Sequence, residues 1–107
     1  IAGACLEMDQ IDGCEIERYD PLARNLINHT LVFGGKWRMP YLPGQTHSID
    51  TLPMTRKVIE SRTPRAFLTD SPELDPRESR FLREIGVASH MIVPLSMGDE
   101  VLGVMTL

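Results

Sequence analysis

The chain has 107 residues, of which 42% are apolar and 24% charged, which suffices for one hydrophobic core and not for a second. Its formal charge of −4 gives no basic footprint, so direct binding to nucleic acid is not expected. No run approaches the roughly 20 apolar residues of a membrane span and no secretory signal is visible, so a cytoplasmic protein without a membrane partner is expected.

Ile1 to Gln10 reads as the tail of a helix. Gly13 to Tyr19 then alternates in the manner of a strand and meets a turn at Asp20-Pro21. Asn25 to Phe33 supplies the returning strand, with Ile27, Leu31 and Phe33 on one face and Leu26 and Val32 on the other, and Gly34-Gly35 breaks it. Residues 36–49 form a long irregular stretch, and a loop of that length in so small a domain is more often functional than idle.

A helix is expected from about Thr51 to Arg62, capped by Asp50 or Thr51, with Pro53 in its first turn and Pro64 closing it. Arg65 to Asp70 reads as a short strand, followed by a loop at Ser71-Pro72. Asp75-Pro76-Arg77-Glu78 opens a second helix, with Asp75 as cap, Pro76 in the first helical position and Glu78 placed to reach back as a capping box; Gly86 ends it. Phe81, Leu82 and Ile85 fall on one stripe of that helix, which must pack on a sheet.

The chain closes on two apolar runs, Ile92 to Leu95 and Val101 to Leu107, flanking a Gly98-Asp99 turn. Both runs are nearly continuous in apolar residues, as expected of strands in the middle of a sheet covered on both faces. Pro94 points to a bulge or an edge, and Gly103 to a close approach of neighbouring backbone.

Few residues carry chemistry. Cys5 and Cys14 form no CxxC pair and read as small buried apolar groups. His29, His47 and His90 are dispersed, without the spacing of a metal cluster. Glu15 and Glu17 lie on one strand face, as many solvated pairs do, and no nucleophile triad or phosphate loop is present, so the domain is not expected to be an enzyme.

The order of helix, RTPRAFLTDSPELDP, helix and IGVASHMIVPLSMGDEVLGVMTL resembles the second half of a GAF domain, most specifically at Ile85-Gly86-Val87 with Ser89, at Val93-Pro94-Leu95 and at Val101-Leu102-Gly103-Val104. The resemblance implies an α+β fold, an α/β/α sandwich with a GAF/PAS-like central antiparallel sheet of five or six strands and helices on both faces. It implies one GAF-like domain over residues 1–107, a fragment of a longer multidomain protein. In that fold a ligand sits between one sheet face and the segment corresponding to residues 36–75. Trp37, Tyr41, His47, Met54, Phe67 and His90 are then the candidate lining. Lys36 and Arg38 near Trp37 and Tyr41 would favour an anionic or carbonyl-bearing ligand.

The cofactor is left unknown. No cysteine follows Trp37 for covalent bilin attachment, the three-cysteine pattern of GAF-like methionine sulfoxide reductases is missing, and the cyclic-nucleotide pattern is not recognisable. Haem would need a single imidazole, for which His47 is the choice, and is disfavoured. The expected function is a sensory, regulatory domain of a bacterial signal-transduction protein, such as a two-component sensor histidine kinase or a cyclic-di-GMP enzyme. It would bind a small molecule, mediate homodimerisation, or both, to control an attached output domain. The alternatives are a ligand-free dimerisation module and the effector domain of an IclR-type transcription regulator.

Overall fold

A computed structural model describes residues 13–33, 44–84 and 86–107. β1 (Gly13–Asp20) and β2 (Asn25–Phe33) form an antiparallel hairpin. The Asp20 carboxylate makes its turn, Oδ1 accepting from the backbone N–H of Leu22 at 3.0 Å and of Ala23 at 3.3 Å. The register shifts where Ile16 faces Thr30 but Glu17 faces Asn28, which leaves His29 as the extra residue of a bulge. That extra residue resets the parity of β2, so the two faces expected from simple alternation between Leu26 and Phe33 do not run through the strand.

The irregular stretch expected over residues 36–49 ends in structure. Thr46–Ser48 is a short edge strand, β3, paired with β2, and Ile49–Thr51 is a 3-10 turn capped by the Ser48 hydroxyl. Trp37 and Tyr41 lie outside the described residues, as do Lys36, Arg38 and Cys5. The first helix, α1 (Pro53–Ser61), begins later than expected: Pro53 takes the first turn, Leu52 is the cap residue without a side-chain bond, and Arg62 ends the helix in a left-handed conformation.

β4 (Arg65–Leu68) precedes the second helix, α2 (Pro76–Glu84), which starts as its sequence implies, with the Arg77 N–H donating to Asp75 Oδ1 at 2.8 Å. Glu78 does not reach back. Its Oε1 accepts from the Met54 N–H at 3.1 Å, so one helix supplies the N-terminal cap that the other lacks. Gly86, at φ 82°, closes α2 with its N–H on Arg83 O and that of Val87 on Leu82 O.

β5 (Ser89–Met97) and β6 (Glu100–Thr106) form the closing hairpin around Gly98, whose φ of 61° suits a tight primed turn. The bulge implied by Pro94 occurs beside it, where Leu95 faces Gly103 and Ser96 faces Val101. The six strands form one sheet in the order β3-β2-β1-β6-β5-β4, every described pairing antiparallel, and the closing hairpin is interior.

Both helices lie on one face of this sheet. Met54, Val58 and Ile59 of α1 and Leu74 before α2 form the core with Leu26, Ile49, Phe67, Ile92 and Val104, and Leu82 of α2 packs against it. Ile1 to Gln10, read from the sequence as the tail of a helix, lies outside the described residues.

Candidate functional site

Alternation along β1 sends Glu15, Glu17 and Tyr19 to one face. Glu17 is in register with Asn28 on β2 and Val104 on β6, and Val104 belongs to the core, so this is the helix-covered face. The two glutamates are only 9% and 6% exposed and Asn28 only 2%, which places three polar side chains inside the domain. With the Asn28 amide oriented to satisfy both neighbours, its nitrogen donates to Glu15 Oε1 at 3.1 Å and to Glu17 Oε2 at 3.0 Å.

The carboxyls also hydrogen-bond to each other. Burial raises the pKa of Glu15 above the ordinary carboxylate range. Burial, then the neighbouring charge of Glu15, then the hydrogen bond to Glu15 push Glu17 up to about 9. At neutral pH the pair therefore holds a proton, which lets Glu17 donate to the Glu15 carboxylate. Asn28 is also fixed through its main chain, its N–H donating to Gln45 O at 2.9 Å and its carbonyl accepting from the Gly44 N–H at 2.7 Å.

The candidate lining divides. His47 on β3 is in register with Leu26, half-buried, and burial lowers its pKa. Met54 and Phe67 are buried within the apolar core. His90 faces Phe67 across β4 and β5, their ring centres 5.4 Å apart, and its buried Nδ1 has no hydrogen-bond partner; burial lowers its pKa too. The sheet order puts His47 and Phe67 on opposite edge strands, about 24 Å apart at five strand spacings. One cluster of His47 with Phe67 and His90 is therefore not formed.

Sequence reasoning missed the role of Glu15, Glu17 and Asn28. The strand itself gave no signal of it: apolar Cys14 and Ile16 alternating with Glu15 and Glu17 is the pattern of a strand whose glutamates face solvent, and the structure buries them instead. Among the described residues no group of three or more His, Cys, Asp or Glu could hold a metal ion, and no helix is long and apolar enough to cross a membrane.

An open, six-stranded antiparallel sheet with two helices on one face and a buried polar cluster on its strands defines an α+β domain of the GAF/PAS architecture. No family model matches the sequence, and neither does any curated protein. Solved structures match the fold. The phycocyanobilin-bound GAF domain from a cyanobacterial phytochrome is similar at TM-score 0.78 and 18% identity over 98% of this chain. The GAF domain/HD domain protein from Geobacter sulfurreducens is similar at 0.76 and 14% over 98%, and the GAF domain of a two-component sensor histidine kinase from Bacillus halodurans at 0.76 and 12% over 97%. This chain spans 64% of the first structure and 67% of each of the others. The chain has the fold of a GAF domain.

Proposed function

We propose that the chain is a sensory module of a bacterial, cytoplasmic signalling protein, in which a small molecule held against the helix-covered face of the sheet sets the state of an attached output domain. The observation that carries this reading is the buried trio of Glu15, Glu17 and Asn28 in a domain with the GAF fold. A purely structural core has no need of two carboxyls, whose burial costs free energy, and strongly perturbed buried acids are a mark of functional sites. The solved structures of similar fold include a domain with bound phycocyanobilin and a domain of a sensor histidine kinase, which supports a sensory role.

In this reading the domain binds and does not catalyse. Trp37, Tyr41 and His47 are the proposed lining residues, with His90 a separate polar point beside Phe67. Met54 and Phe67 serve as apolar walls. The module works as a homodimer, and ligand binding shifts the balance between two arrangements of the pair.

Native mass spectrometry of the chain purified from cells, followed by titration of its single tryptophan, Trp37, with metabolites, tests the reading. Retained mass or a saturable fluorescence change supports it. No retained mass and no response across a broad panel would favour a ligand-free dimerisation module, a reading that the apolar packing of Met54 and Phe67 also fits.

A further inference from the structure

Asn28 joins three strands at one point. Its side chain bridges two carboxyls of β1, while its backbone N–H and carbonyl hold Gln45 and Gly44, the residues that lead into β3. The bulge at His29 adjoins it. β3 itself has only three residues, so these two main-chain bonds form a large part of its attachment to β2.

Among the described residues the surroundings of the carboxyls offer little to hold a second negative charge. On their own strand face the next ionisable group is Tyr19, and across β6 stand Val104 and Thr106, both uncharged. On β3 the ionisable group is His47, in register with Leu26. α1 turns Met54 and Val58 into the core, its Arg56 lies 3.9 Å from both Asp50 and Glu60, and its Lys57 is exposed. Glu78 of α2 is engaged by the Met54 N–H. Among the described residues no ion pair reaches Glu15 or Glu17.

We propose that Glu15, Glu17 and Asn28 form a one-proton clasp that fastens the entry of edge strand β3 to the body of the sheet and releases it when the shared proton leaves. With the proton present, Glu17 donates to the Glu15 carboxylate and the two amide hydrogens of Asn28 go one to each carboxyl. When the proton passes to solvent base, both carboxyls are anionic, no O–H remains between them, and one amide cannot offset two buried charges. One carboxylate turns to water, Asn28 loses a partner, and the main-chain bonds to Gly44 and Gln45 open beside the bulge. Because β3 runs directly into the turn that buries Ile49, the clasp is linked by chain to the core under α1. The raised pKa of Glu17 puts the opening on the alkaline side of neutrality.

Amide hydrogen exchange read by NMR from about pH 6 to about pH 10, corrected for base catalysis, tests the clasp. Protection at the Asn28 and Gly44 amides should fall about tenfold per pH unit above the transition, as release of a single proton requires. The Met91 and Leu107 amides, each bonded to the other residue's carbonyl, should keep theirs. Glu17→Gln keeps a donor toward Glu15 and has no proton to lose, so its protection at Gly44 and Asn28 should not change with pH. Should that variant fail to fold, the infrared spectrum of the parent chain decides: a protonated-carboxyl band present near neutral pH and lost through the transition supports the clasp. Absence of that band near neutral pH, or loss of protection at Gly44 and Asn28 in step with Met91 and Leu107, would overturn it.

Discussion

Replacing Gly103 by alanine should damage the centre of the sheet. A Cβ built there lies 2.2 Å from the Glu17 carbonyl oxygen, 3.2 Å from its carbon and 3.3 Å from the Arg18 Cα. All three are backbone atoms of β1, so no side chain can swing aside, and β1 and β6 must part by about 0.8 Å to reach even a 3.0 Å contact. Overpacking of this kind costs about 1–3 kcal/mol, and the rigid neighbours place Gly103→Ala at the upper end. Reduced freedom of the unfolded chain offsets about 0.4–1 kcal/mol. The net loss of about 2 kcal/mol corresponds to a drop in melting temperature of roughly 8–16 °C for a domain of this size. Thermal unfolding by circular dichroism, with urea denaturation as a second measure, reads it directly. Gly98→Ala is the comparison: open space surrounds that position, and only its φ of 61° opposes a side chain, a penalty of about 1 kcal/mol. A Gly103→Ala chain that melts within about 2 °C of the parent would show that the strands yield freely and refute the reasoning.

Stability should fall as pH rises across the neutral range. Glu17 has a folded-state pKa of about 9 against an ordinary 4.5, so its contribution is complete below the unfolded value and is lost toward pH 9, by up to about 1.4 kcal/mol per pH unit. Urea midpoints near pH 5, about pH 7 and about pH 9 should decline in that order, and a flat or rising series would contradict the buried pair. Asp50 and Asp75, held below the ordinary range by hydrogen bonds from Arg24 and Arg77, act in the opposite sense only in more acid solution. Leu26→Ala should cost about 2–5 kcal/mol, since Leu26 is 0% exposed, while Leu22→Ala at 95% exposure should stay within about 0.5 kcal/mol; equal urea midpoints for the two would disprove the assigned core. Glu78→Ala uncaps α1 and should lower stability by about 1–2 kcal/mol, an effect that Glu78→Gln, whose carbonyl can still accept from Met54 N–H, should largely restore.

Much of the fold was legible from local chemistry. The β1–β2 turn is set by Asp20, the start of α2 by Asp75 and Pro76, its end by Gly86 and the closing hairpin by Gly98, and each acts through bonds within a few residues. The apolar runs of β5 and β6 correctly implied strands in the interior of the sheet order. The resemblance at Gly103 has its physical cause in the approach of β1, where a side chain has no room.

The polar site was decided by long-range contacts. Glu15 and Glu17 look like a solvated pair until β2 and β6 close around β1 and that face is buried; the same two residues then share a proton beside Asn28. The bulge at His29 sets which β2 residue meets them, and no local pattern announces it. His47 and Phe67, joined as one lining when read along the chain, end on opposite edges because strand order is a property of the whole sheet. Local bonding chose the elements and their ends, whereas burial, which depends on what arrives from distant parts of the chain, chose which charged groups lose water.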